Sequence, residues 1–169
     1  MKKSEVMMGL RSAFDDDVHN YDRCRPRYTA ELFRNIIWYA SLNGTKKVLE
    51  IGIGTGQATL PFLKAGCHVV AIDAGENLAK FSANAFSSFP RFQVQHVTFE
   101  AFVADDNTFD FIFSATAFHW IAQDVGLKKV RRLLKPGGTV ALFWNHPFVN
   151  RKNNALHRQI QSLYKAYWP

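Results

Sequence analysis

Short apolar runs alternate along this chain with segments whose apolar positions recur every three or four residues. Thr29 to Leu42 carries Leu32, Phe33, Ile36, Ile37 and Tyr39 on one broad face, predicting a helix closed by Asn43-Gly44. Lys47 to Ile51 reads as a short buried strand, followed by a glycine-rich turn and a helix from about Gln57 to Lys64, stopped by Gly66. Cys67 to Ile72 predicts a second strand, Glu76 to Phe86 a second helix of this kind, and Phe92 to Val97 a third strand with imperfect alternation. After the turn Asp105-Asp106-Asn107, Phe109 to Ser114 forms an aromatic and β-branched fourth strand. Asp124 to Leu134 predicts a helix halted by Pro136-Gly137-Gly138, Thr139 to Trp144 a fifth strand, and Asn153 to Tyr167 a last helix. Strands alternating with helices imply an α/β domain with a parallel sheet. Right-handed crossovers place the first strand centrally and helices on both faces.

Composition narrows the class. A chain of 169 residues with 47% apolar residues and fifteen Phe fits one domain with a substantial core, not a disordered segment. No run approaches the roughly 18 apolar residues of a membrane span. Met1 to Leu10 has positive charge but lacks the apolar stretch of a signal peptide, and Asp15, Asp16 and Asp17 follow at once. Two cysteines, Cys24 and Cys67, are too few for a disulfide framework, so the expectation is a cytoplasmic protein with reduced thiols. The six histidines show no ligand spacing with Cys or carboxylates, and no metal is expected.

Net charge of +7 raises the question of nucleic acid. The densest cations, Lys128, Lys129, Arg131, Arg132 and Lys135, surround Leu127, Val130, Leu133 and Leu134 at helical spacing. They read as a solvated helix face, with an anionic substrate or a nucleic acid as the alternatives. No Asn-Pro-Pro-Tyr-type tetrapeptide is present, and nucleic acid is not the expected partner.

The most informative stretch is Glu50-Ile51-Gly52-Ile53-Gly54-Thr55-Gly56-Gln57, which leaves a strand and opens toward a helix. Glycines there let the backbone turn sharply and approach a ligand without a Cβ. A dinucleotide fingerprint needs G-x-G-x-x-G, but the third position counted from Gly52 is Gln57. Glu50, two residues ahead of the first glycine, disfavours a pyrophosphate and suits a cationic ligand. Both features count against a nicotinamide-dependent oxidoreductase. Asp73 ends the second strand, where a carboxylate can accept both hydroxyls of a ribose or instead cap the next helix.

Together these residues resemble the class I methyltransferases that use S-adenosylmethionine. The first motif is matched by Glu50 to Gly56, the second-strand acid by Asp73, the fourth-strand motif by Asn107 to Ser114, and the turn before the fifth strand by Arg132 to Gly138. The segment Tyr21-Asp22-Arg23-Cys24-Arg25-Pro26-Arg27-Tyr28 and the pair His119-Trp120 resemble a small-molecule subgroup that includes trans-aconitate methyltransferase. The resemblance implies a Rossmann-like doubly wound sheet of strand order 3-2-1-4-5, with the family's sixth and seventh strands missing. It implies three parts: a lid and helix segment over residues 1–45, a cofactor-binding core over 46–146, and the start of a truncated helical insertion over 147–169.

The resemblance also assigns roles. Gly52, Ile53, Gly54, Thr55 and Gly56 would form the loop beneath the methionine part of the cofactor, with Glu50 near its amino group. Asp73 and Ala74 would meet the ribose, Phe99 and Glu100 the adenine, and the Ser114 carbonyl the ammonium. Tyr21 and Arg25 would belong to a lid over the cofactor, or would pack the first helix. The implied reaction is in-line methyl transfer to a small, anionic molecule, leaving S-adenosylhomocysteine. His119 is the candidate general base, or a packed imidazole, and Trp120, Asn145 and His146 are candidate pocket residues. A cofactor-binding module without turnover is the alternative. The apolar fifth strand would be a sheet edge, which predicts homodimer formation.

Overall fold

The computed structural model describes residues 14–145 and 155–167. His146 and the stretch that would open the insertion lie outside the described residues. Five parallel strands form one sheet: β1 (Lys47–Ile51), β2 (His68–Asp73), β3 (Phe92–His96), β4 (Phe109–Ala115) and β5 (Leu134–Phe143). Their order is β3-β2-β1-β4-β5, as expected from the resemblance. The helices are α1 (Val18–Cys24), α2 (Ala30–Tyr39), α3 (Leu60–Lys64), α4 (Glu76–Ala85), α5 (Gln123–Leu133) and α6 (Ala155–Tyr167), with a 3-10 turn at Phe118–Trp120. No helix among the described residues is long and apolar enough to cross a membrane.

Side-chain alternation on the central strands builds two cores. Val48 of β1, Val69 and Ala71 of β2, and Phe111 and Phe113 of β4 join Phe33 and Phe62 on one face. Leu49, Ile51, Val70, Ile72 and Ile112 join Phe99, Phe118, Val130 and Leu133 on the other. A strand covered on both faces must be apolar at nearly every position, which is why these strands read as continuous apolar runs. Caps fix where helices start: the Thr29 hydroxyl accepts from Leu32 N at 3.4 Å and Asp17 accepts from Asn20 N at 3.0 Å.

Two local expectations need correction. The helix expected from Gln57 begins only at Leu60, because Gly54 and Gly56 both hold left-handed φ values of +57° and +84° and the chain is still turning. Pro136-Gly137-Gly138 does not simply separate helix from strand. Leu134 already pairs with Phe109 and Thr139 with Phe111, so an irregularity inside β5 absorbs the intervening residues. β5 lies at the sheet edge, with Val140 and the following Trp144 exposed. All five large apolar side chains of α6, from Leu156 to Tyr167, are exposed.

Candidate functional site

Beyond the carboxyl ends of the strands the chain encloses a cleft of about 520 Å³. This is where parallel α/β sheets present ligand sites, since the strand order reverses there between β1 and β4. Gly52, Gly54, Asp73, Ala74, Phe99, Glu100 and Trp120 line it. A smaller adjoining cavity of about 140 Å³ is lined by Glu50, Ile53, Gln57 and Asn145, among others. Tyr21, Arg25, Ala115 and Thr116 border both.

The glycine loop is held on three sides. Gly52 N and Ile53 N donate to Ile72 O at 2.9 and 3.1 Å, and Gly54 N donates to Asp73 Oδ2 at 2.8 Å. The buried Ser82 hydroxyl of α4 donates to Gly54 O at 2.6 Å. Glycine is required at Gly52 and Gly56 because added Cβ atoms would collide with Ala117 and the Phe86 ring, and both φ values are positive. The loop backbone therefore packs against its supports while presenting Gly52 and Gly54 to the cleft.

Asp73 is pinned at the end of β2. Its Oδ1 accepts from Gly75 N at 2.9 Å while Oδ2 accepts from Gly54 N; Gly75, not Asp73, is the N-cap of α4 and supplies no side-chain cap. A carboxylate has about four lone-pair sites, and two remain for hydroxyl donors. Burial pushes the Asp73 carboxyl above its usual range against the pull of the Gly75 and Gly54 N–H groups. Glu50 is 1% exposed, accepts from the Thr59 hydroxyl at 2.7 Å, and is lifted by burial to about 8, with the charge of Asp73 adding to the rise. Burial and the neighbouring acid disfavour the charged form of Glu50, and a cation placed beside the pair would favour it.

Phe14, Asp15, Asp16, Tyr21 and Arg25 of the N-terminal segment line one side of the cleft. Phe14 meets Tyr21 at 5.4 Å and Trp120 at 6.4 Å between ring centroids. The Arg25 guanidinium lies 5.0 Å from the Tyr21 ring and 5.7 Å from that of Phe14. Asp15 Oδ1 accepts from Leu78 N at 2.9 Å, tying this segment to the first turn of α4. Tyr21 and Arg25 thus face the cleft instead of serving the first helix alone.

Other candidates fall elsewhere. Thr55 is buried in the loop, donating to Asp22 Oδ1 at 2.8 Å and accepting from Gln57, and lines neither cavity. Gly56 also lines neither. Ser114 is fully buried, its hydroxyl donating to Ile51 O at 2.8 Å, and the next residues, Ala115, Thr116 and Ala117, reach the cleft. His119 is exposed, accepts from Trp144 Nε1 at Nδ1 over 3.2 Å, and borders neither cavity. Asn145 donates to Pro26 O at 3.2 Å.

Sequence reasoning passed over Asp15, which it used only against a leader peptide, and Thr116. Thr116 holds φ +56°, unusual for a β-branched residue, and shares a 2.5 Å hydrogen bond with the Tyr28 hydroxyl. No local sequence signal marks either role.

Comparison with known proteins agrees with this geometry. The profile of a methyltransferase domain matches residues 48–138. An uncharacterized methyltransferase of Mycobacterium tuberculosis is 32% identical over 133 residues, covering 79% of this chain and 52% of the relative. A human thiol S-methyltransferase is 31% identical over 118 residues, covering 64% of this chain and 46% of its own length. The chain spans about half the length of the curated relatives it matches. Among solved structures, a SAM-dependent methyltransferase from Aquifex aeolicus matches with TM-score 0.60 at 16% identity, over 98% of this chain and 88% of that one. Coclaurine N-methyltransferase, solved with S-adenosylhomocysteine, matches with TM-score 0.59 at 19% identity, over 66% and 34%. The fold is the one these structures share, and by the match over its strands and glycine loop the chain belongs to the methyltransferase-domain family.

Proposed function

We propose that this chain holds S-adenosylmethionine in the larger cleft and serves methyl transfer to a small, anionic acceptor. The carrying observation is the clamp between the Asp73 carboxylate and Gly54 N, which fixes an acid and a bare backbone loop on one wall of a cleft of about 520 Å³. When bound, the cofactor supplies a methyl group already activated by its sulfonium charge.

The chain's own residues then have five tasks. Asp73 offers its free lone pairs to the ribose hydroxyls, and Val97 to Glu100 provide a wall for the base. The Asp73 carboxylate favours a cation, and a bound cation would in turn draw buried Glu50 toward its ionised form. Phe14, Tyr21 and Trp120 shield the cleft from water, which strengthens that electrostatic preference. Arg25 borders both cavities and has no carboxylate partner among the described residues, which supports an acceptor or cofactor carboxylate beside it. A carboxylate acceptor needs no general base, so the exposed position of His119 is compatible with this reading.

Calorimetric titration with S-adenosylmethionine, S-adenosylhomocysteine and NAD tests the proposal. The first two should bind and NAD should not, and Asp73→Ala should weaken binding about tenfold or more through lost charge-assisted hydrogen bonds. Equal binding of NAD, or an Asp73→Ala variant that binds like wild type, would refute it.

A further inference from the structure

The basic cluster on α5 and the start of β5 is largely solvent-exposed, and its ion pairs lie at the surface. Arg132 pairs with Asp106, and Lys135 Nζ reaches Asp110 Oδ2 at 2.9 Å. Lys129 does something different. Its Nζ donates to three backbone carbonyls at once: Phe99 O at 2.6 Å, Glu100 O at 3.0 Å and Phe102 O at 2.6 Å. The same ammonium lies 5.1 Å from the centroid of the Phe99 ring.

Those carbonyls belong to a single tight turn. Ala101 N and Phe102 N both donate to Thr98 O, at 3.2 and 2.9 Å, and the Thr98 hydroxyl accepts from Ala101 N at 3.3 Å. One isolated helical turn leaves its later carbonyls without intrahelical partners, and it is marginal without outside support. A cation at that end satisfies them and matches the turn's dipole. Residues of this turn and the one before it, Val97, Thr98, Phe99 and Glu100, line the large cleft. Phe99 and Phe102 are buried, so the turn hangs between the core and the cleft wall with Lys129 closing its far end.

We propose that Lys129 is a positioning residue for the nucleoside end of the cleft: by gathering the carbonyls of Phe99, Glu100 and Phe102 it sets the wall against which the base of the cofactor rests. This rests on the cofactor reading above. The partial burial of the ammonium, which together with neighbouring Arg132 pushes its pKa below the usual lysine value, is a cost that three charge-assisted hydrogen bonds offset. Lysine suits the task because one compact head with three donors can serve three converging carbonyls, where the planar guanidinium fork matches them less well.

The test compares wild type, Lys129→Met, Lys129→Gln and Lys129→Arg, titrated with S-adenosylhomocysteine and with adenosine well below each variant's Tm. Lys129→Met should weaken both ligands by a similar factor, about tenfold, with Lys129→Arg recovering part of the loss. A role confined to packing α5 would lower Tm and leave both Kd values unchanged, which would overturn the proposal. So would a loss seen for S-adenosylhomocysteine but not adenosine. Should Lys129→Met fail to fold, Lys129→Gln, which keeps a neutral N–H donor on a shorter stem, is read by the same criteria. Failure of wild type itself to bind either ligand would instead overturn the cofactor reading, and this proposal with it.

Discussion

Replacing Glu50 with Gln gives a prediction whose sign and size come directly from the site. In the folded chain, burial lifts this carboxyl from 4.5 to about 8, opposed by the Thr59 hydroxyl and reinforced by Asp73. In the unfolded chain it titrates near its ordinary value. Across the interval between these two values the folded chain binds a proton that the unfolded chain has lost, so stability falls as pH rises. Each unit is worth about 1.4 kcal/mol, so wild type should lose roughly 3 kcal/mol between pH 5.5 and 8 from this group. Gln is a neutral isostere that can still accept from Thr59, and the variant should lose that part of the slope. Subtracting the two curves removes the contribution of Asp73, which shifts in the same direction. Urea denaturation at four or five pH values supplies the data. Parallel wild-type and Glu50→Gln curves would show that Glu50 is ionised in the fold and would refute the reasoning. Binding supplies a second readout: a cationic ligand favours the ionised carboxyl, so affinity for S-adenosylmethionine should rise with pH toward 8 in wild type and much less in Glu50→Gln.

Gly126→Ala on α5 should destabilise by about 1–3 kcal/mol even though Ala normally helps a helix, because overpacking outweighs propensity. The added Cβ would sit 2.7 Å from Ile121 Cγ2 and 3.0 Å from the Phe118 ring, and thermal denaturation reads the sign. Ser82→Ala leaves Gly54 O without its buried donor and should cost about 1–3 kcal/mol by urea denaturation while also weakening cofactor binding, since the loop loses a support. The edge position of β5, with Val140 and the neighbouring Trp144 exposed, predicts self-association at high concentration; a monomer by light scattering would count against it.

The central strands were legible because a strand buried on both faces shows itself as an apolar run: Val69 to Ile72 and Phe111 to Phe113 are uninterrupted, and Val48 to Ile51 is broken only by the buried Glu50. The glycine loop and Asp73 were legible for a related reason: few residue types can turn the chain there and leave an acid at a strand end. Side-chain reach was not legible. The basic face is solvated as its spacing predicts, with Lys128, Arg131, Arg132 and Lys135 exposed, but the partners of Lys129, Arg132 and Lys135 lie 25 to 30 residues away and no local pattern marks them. Asp15 bonds across 63 residues to Leu78 N, and no periodicity encodes that contact. Ser114 shows the limit of motif transfer at one-residue resolution, since its neighbours line the cleft while it is sealed beneath them.

In the proposed reading, Asp73 and the loop through Gly54 form one wall of a nucleoside-binding cleft. A crystal structure of the chain with S-adenosylhomocysteine tests it most directly. Ribose hydroxyls should lie within hydrogen-bond distance of the Asp73 carboxylate, with the base against Val97 to Glu100. Density for the ligand outside the cleft, or a cleft closed by packed side chains with Asp73 turned away, would contradict it.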